Sequence, residues 1–197
     1  MPRRLFVLNG PRRGQEVYLT FDDGPDPEHT PPLLDVLRDL GVPATFFVIG
    51  ERAARHPEIV RRMAREGHAV GHHSYHHEKP DRATLRGLAG EASRTRALLR
   101  TLIGTDARLF RPPHGSVTAG ALWRLWGSGH TVVLWSADPK DYAAASADAV
   151  GAYFELHPLR GGDVVLLHDT RPHAAAVLPT LVARAQACGL SFRRIPD

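Results

Sequence analysis

A single cysteine, Cys188, is all the thiol that this chain of 197 residues contains, so no disulfide can form within it. It sits in "ARAQACGL", which reads as the end of a helix. The expectation there is a small buried apolar residue rather than a nucleophile. Long apolar runs are also missing: no stretch approaches the roughly 20 residues that a membrane-spanning helix needs. The start, "MPRRLFVLNG", has too short an apolar stretch for a secretory signal and lacks a small-residue cleavage site. Read as it stands, the chain is expected to be cytoplasmic, or to be a domain cut from a longer exported protein. A Lys/Arg block is absent too. The formal charge is +4 and the pI about 9.7, but the basic residues are nearly all arginine, scattered through helical stretches, with no aromatic-rich strand beside them. Solvated helix faces account for them, and nucleic acid is not an expected partner. Repeats, low-complexity segments and linkers are likewise missing.

What the chain does have is ordinary globular composition, 43% hydrophobic and 23% charged, at a length that suits one domain with a full core. Short apolar runs alternate with helical stretches. "VYLTF" (17–21), "ATFFVIG" (44–50), "HAVG" (68–71), "RLF" (108–110), "HTVVLWS" (130–136), "DVVLLHD" (163–169) and "LSFRRI" (190–195) read as seven strands. Helices are expected over 30–41, 57–67, 84–102, 118–129, 146–157 and 175–189. Thr30 and Ser146 are the expected caps, Pro31 and Pro57 lie in first turns, and Gly41 and Gly67 are stops. Leu85, Leu88, Ala92, Leu98, Leu99 and Leu102 give the longest helix an apolar face. Strand–helix alternation implies parallel strands with right-handed crossovers. It predicts an α/β fold, a small and incomplete relative of the eight-fold barrel, with a doubly wound open sheet as the alternative. Either architecture puts a site at the C-terminal ends of the strands, and the polar clusters fall there.

The first cluster is "TFDDGPD", two adjacent carboxylates at a strand end. Such a pair needs a cation, which a metal or an arginine would supply; alone, it also reads as an Asp-rich turn. "GHHSYHH" (71–77) puts four histidines in seven positions. His72/His76 and His73/His77 both have the i, i+4 spacing that lets two imidazoles share an ion, and spacing does not choose between them. Two His and one Asp suit zinc with open positions for water and substrate, or non-haem Fe(II). "RPPHG" holds Arg111 in a proline-stiffened loop, where it is a candidate partner for one of the paired aspartates and a backbone N–H is a candidate donor to an oxyanion. "VVLLHD" ends a strand on His168, a general acid if a carboxylate orients it; Asp138, Asp141 and Asp169 are candidates.

In this order the clusters resemble the polysaccharide deacetylase family, carbohydrate esterase family 4, and within it the nodulation-type chitooligosaccharide deacetylases. "TFDDG", "HSYHH", "RPPHG", "WSADPKDY" and "LLH" stand in the family's sequence, and the likeness runs from about Val17 to Ile195. The resemblance implies a single-domain distorted (β/α)7 barrel. It further implies a metal-dependent hydrolase, with Zn2+ the favoured ion, that removes the N-acetyl group from N-acetylglucosamine units. Ser74 after His73 matches the family's H-[ST]-x-x-H, so His73 and His77 are the implied metal ligands with Asp23. By the same likeness Asp22 is the catalytic base, Arg111 holds it, and Asp141 orients His168, the catalytic acid. His114 supplies a backbone N–H to the oxyanion, and Leu166 and Tyr142 line the acetyl pocket. Tyr142 stands where the family has tryptophan and His114 where it has Tyr or Phe, which bears on substrate preference. Peptidoglycan, a small amino-sugar metabolite and O-acetylated xylan are alternative substrates for the same groups. A binding protein that has lost catalysis would lack one of Asp22, Asp23, His73, His77 or His168, and all five are present.

Overall fold

In a computed structural model of the chain, residues 6–12, 14–79 and 81–196 are described, apart from the side chains of 82–85. The side chain of Leu85 and the segment "MPRRL" therefore lie outside what is described. The elements run β1 (Phe6–Val7), β2 (Glu16–Asp22), α1 (Thr30–Leu40), β3 (Thr45–Val48), α2 (Gly50–Arg55), α3 (Pro57–Arg65), β4 (Ala69–His72) and α4 (Arg82–Ile103). They continue as β5 (Leu109–Phe110), a 3-10 turn (Pro113–Gly115), α5 (Ala119–Gly127), β6 (Thr131–Val133), α6 (Ala147–Leu156), β7 (Val164–His168), α7 (His173–Ala187) and β8 (Ser191–Phe192).

All strand pairs are parallel. The sheet order is β1-β6-β5-β4-β3-β2-β7, with β8 paired to the start of β2. The sheet curls until its two sides meet: Ala137, just past β6, bridges Val165 of β7. This is the distorted (β/α)7 barrel that the alternation and the resemblance predict, not the open sheet. Central strands are buried on both faces, which is why β2 and β7 read as unbroken apolar runs rather than alternating ones.

The helices form for local reasons. Pro31 and Pro32 open α1, and Gly41 ends it at φ 65°, its N–H returning to the carbonyls of Arg38 and Leu37. Leu33, Leu34 and Leu37 make its buried face, each worth about 1.5–3 kcal/mol on burial. Ser146 caps α6 as expected, accepting the Ala149 N–H.

Four readings need correction. The run 44–50 is not all strand: it leaves the sheet after Val48, and Gly50 already belongs to α2, a helix too short to show periodicity. The first strand in the chain is β1, which precedes the seven expected strands and pairs with β6. Thr30 does not cap α1; the cap position is His29, with no side-chain bond, because the Thr30 hydroxyl is drawn to Asp26 and Asp169 instead. Cys188 is exposed rather than buried, since it is the residue after α7 and falls past the helix's buried face.

Candidate active site

The C-terminal ends of β2, β4, β5, β7 and the bend after β6 converge at one mouth of the barrel. Asp22 is the last residue of β2 and is 2% exposed. Alternation across the strand end turns Asp22 and Asp23 different ways. Asp22 Oδ1 meets Arg111 Nη1 at 2.7 Å. Asp23 sits at φ 76°, and its Oδ1 faces His77 Nε2 at 3.3 Å and His73 Nε2 at 3.6 Å.

One donor atom from each of Asp23, His73 and His77 lies within 4.8 Å of the others, a grouping that could hold a metal ion. Two further features fit an ion. Asp23 Oδ1 is buried and has no hydrogen-bond partner, a costly state unless a cation meets it. His73 donates its Nδ1–H to the Arg111 carbonyl at 2.6 Å, which turns the lone pair of Nε2 toward the cluster. Burial, with the neighbouring His77 adding to it and Asp23 opposing, takes His73 down to about 3, so the imidazole is neutral and free to ligate. The set is two nitrogens and one oxygen, which suits zinc and leaves positions open.

The other histidine pair is elsewhere. His72 ends β4 and points to the outer side of the sheet. It is fully buried there, 5.1 Å from the Phe110 ring and 5.2 Å from His130. His76 is exposed and lies 3.7 Å from Glu51.

The histidine turn is held from α4. Glu91 accepts the N–H groups of Tyr75 (3.1 Å) and His76 (3.0 Å), and the buried Thr95 hydroxyl donates to the Ser74 carbonyl at 3.0 Å. Asp23, Ser74, His77, His114 and Lys140 are the non-glycine residues with positive φ among the described residues. All five are in loops at this mouth, the pattern of strain held at functional sites.

Arg111 is fully buried. Besides Asp22, its guanidinium donates to Thr20 Oγ1 (2.7 Å) and to the carbonyls of Leu134 (3.0 Å) and Val133 (3.3 Å), and it stacks 4.2 Å over the Phe47 ring. Burial pushes the Asp22 carboxyl up, against the pull of Arg111 and the nearby histidines.

Across the mouth, His168 Nδ1 lies 2.7 Å from Asp141 Oδ1, and its backbone N–H donates to Asp141 Oδ2 at 2.8 Å. Burial lowers His168, but the Asp141 hydrogen bond and the charges of Asp22, Asp141 and Asp23 outweigh it and lift the imidazole to about 9. The other two candidate carboxylates have different partners: Asp138 pairs with Lys140 at 3.0 Å, and Asp169 accepts from Thr30 at 2.7 Å. Burial, opposed by that bond and reinforced by Asp23, raises Asp169 to about 7.

Leu166 is 4% exposed and, two residues before His168, faces the same side of β7. The Tyr142 ring meets the His168 ring edge-on at 5.2 Å, with 43% of the residue exposed. His114, at φ 55°, sets its ring 5.0 Å from that of His77. Sequence reasoning missed Thr20, Glu91 and Thr95. Each sits inside a strand or helix pattern that its polar group does not interrupt, so nothing local marks it.

Residues 9–133 match the polysaccharide deacetylase family model. A chitooligosaccharide deacetylase of Sinorhizobium fredii is 38% identical, over 97% of this chain and 90% of that one. A peptidoglycan-N-acetylglucosamine deacetylase of Bacillus cereus is 37% identical over 84% of this chain, which spans 60% of that protein's length. The crystal structure of the Bc1960 peptidoglycan N-acetylglucosamine deacetylase superimposes with a TM-score of 0.89 at 32% identity, covering 98% of this chain and 92% of that one. The chain belongs to the polysaccharide deacetylase family, a family of carbohydrate-deacetylating hydrolases.

Proposed function

We propose that residues 17–195 form one catalytic unit that hydrolyses the N-acetyl group of N-acetylglucosamine units in a chitooligosaccharide or related glycan, releasing acetate and leaving a free amine. One divalent ion, most suitably Zn2+, is assigned to Asp23, His73 and His77. The observation that carries the reading is the grouping itself. A nitrogen–nitrogen–oxygen donor set, its His73 imidazole neutral, has a buried carboxylate, Asp22, 3.7 Å from His73 Nε2 and a carboxylate-held imidazole, His168, 4.0 Å from Asp23 Oδ2.

An ion held there supplies a Lewis acid for the acyl oxygen and lowers the pKa of water. Asp22 is the base that takes a proton from the attacking water. Its raised proton affinity suits that task, and Arg111 fixes the oxygen that does not take the proton. The backbone N–H of His114 donates to the oxyanion of the tetrahedral state. His168, kept protonated by Asp141, delivers a proton to the nitrogen so that the amine leaves neutral. Proton transfers of this kind contribute about 10²–10⁴-fold. Leu166 and the Tyr142 ring bound the acetyl group, and the Tyr142 hydroxyl, 3.4 Å from Lys140 Nζ, adds a polar rim.

Peptidoglycan is the second reading of the substrate. It is favoured by the Bacillus cereus relative and by Bc1960, both named for it. Acetate release from N-acetylglucosamine oligomers of defined length, peptidoglycan and acetyl-xylan, with mass spectrometry of the products, separates the substrates. Zinc analysis of the purified protein checks the ion. Release from xylan alone, or activity that survives complete removal of metal, overturns the proposal. No helix among the described residues is long and apolar enough to cross a membrane.

A further inference from the structure

Asp169 has no part in the reaction above, yet it is 1% exposed and directly follows His168. Its Oδ2 accepts the Thr30 hydroxyl at 2.7 Å, and the same hydroxyl accepts the Asp26 N–H at 2.8 Å. The Asp169 N–H donates to the Asp22 carbonyl at 3.3 Å. Its carboxylate also lies flat against Gly24, so close that a Cβ at residue 24 would overlap both oxygens and the carboxyl carbon. Asp169 thus touches the chain on both sides of Asp23: at residues 22 and 24 directly, and at 26 through Thr30. From the other side the loop is pinned by the Ile49 N–H on the Gly24 carbonyl at 2.8 Å. Asp23 between these points holds φ 76°, a conformation that persists in a non-glycine residue when the surroundings over-determine it. Packing alone does not call for a carboxylate here, because a buried carboxyl whose Oδ1 finds no partner is a cost that an apolar residue would avoid.

We infer that Asp169 is a positioning residue: with Thr30 it clamps the 22–26 turn from behind and keeps the Asp23 carboxylate aimed at His73 and His77. The inference rests on the metal-site reading above. It explains why Gly24 must be glycine, and why Thr30 gives its hydroxyl to the interior rather than to the start of α1.

The test is zinc affinity of the full chain, measured by competition with a chromophoric chelator for wild type, Asp169→Ala, Asp169→Asn, Thr30→Val and Thr30→Ser. Losing a group that orients a ligand typically costs about 10–100-fold in metal affinity, and Asp169→Ala is expected in that range. Thr30→Val should weaken zinc several-fold, roughly the low end of that range. Asp169→Asn and Thr30→Ser preserve the acceptor or the donor and should return to near wild-type affinity. KM for an N-acetylglucosamine oligomer at saturating zinc should stay unchanged. Wild-type affinity in Asp169→Ala overturns the inference, as does an equal loss in Asp169→Asn and Asp169→Ala. If Asp169→Ala does not fold, Thr30→Val decides, and unchanged zinc affinity there overturns it. A wild-type chain that takes up no zinc removes the metal-site reading itself. Wild-type uptake with an unaffected Asp169→Ala removes only the clamp.

Discussion

Arg111 and Asp22 face each other at 2.7 Å, with 0% and 3% of their side chains exposed. A pair this deep is held by mutual need, because either charge alone would be stranded in an apolar surrounding. Arg111→Met should therefore cost about 3–5 kcal/mol of stability in urea unfolding and push the acid limb of the pH–rate profile upward. Unchanged stability would sink the claim that the guanidinium is the counter-charge. Asp22→Asn keeps the shape but leaves Arg111 without its counter-charge, so it should lose stability yet, once folded, hold metal while kcat falls at least about 10²-fold. Full activity in that variant would falsify the base assignment.

The Asp141–His168 pair sets the basic side of the profile. With His168 lifted to about 9, activity should persist into alkaline solution and fall as the imidazole deprotonates. Asp141→Asn removes the first of the raising interactions, so the basic limb of kcat/KM should move down toward the ordinary histidine value near 6.5. A basic limb that stays in place would mean that another group is the acid.

The two histidine pairings separate by substitution. His72→Leu replaces a fully buried imidazole with no hydrogen-bond partner on either nitrogen, so it should leave zinc binding and activity within about twofold, with stability unchanged or slightly raised. His76→Ala, at an exposed position, should do the same. His73→Ala and His77→Ala should each abolish stoichiometric zinc at micromolar metal. Zinc stoichiometry by atomic absorption, run across the four variants, decides. The reverse pattern would reassign the ligands.

Among the buried titratable groups, His130 and His168 act on stability against pH in opposite directions. Burial, then Arg96, takes His130 down to about 4. The unfolded chain binds this proton from about pH 6.5 downward and the folded one does not. Its contribution is therefore complete above 6.5 and is lost as pH falls toward 4, on the order of 3 kcal/mol in all. His168 is the converse: raised to about 9, its contribution is complete below 6.5 and is lost as pH rises through 9. His130→Phe should flatten the acid side of a plot of Tm against pH for the metal-free protein relative to wild type. An acid limb as steep in the variant as in wild type would assign the loss to other groups.

The order of the chain's polar clusters and the alternation of its strands and helices already point to a parallel α/β fold with a site at the strand ends, with a barrel favoured and a doubly wound open sheet as the alternative. That information is local, because the side-chain period distinguishes strand from helix and the clusters sit at strand ends. Spacing leaves both histidine pairs open, and it is the family likeness of "HSYHH" that implies His73 and His77, the pair that faces Asp23. Less local matters were open. The residues alone do not choose among Asp138, Asp141 and Asp169 as partner of His168; the family likeness implies Asp141, and packing brings it, 27 positions away, to both the ring and the N–H. Thr30 carried the pattern of a cap, yet bonds a carboxylate 139 positions on.

What the sequence by itself determined is which residue types are present and at which strand ends they fall. Tertiary structure decided which of them meet. Arg111 reaches Asp22 across 89 positions, and the Ala137–Val165 bridge shuts the barrel so that the segment after β6 and the end of β7 share one mouth. His72 and His73, adjacent and identical in type, part company because successive residues at a strand end face opposite sides of the sheet, one into the layer of Phe110 and His130 and the other toward Asp23. Residue type is local information. Partnership is settled where the curled sheet brings distant strand ends within 3–4 Å, and burial then fixes the charge each group carries.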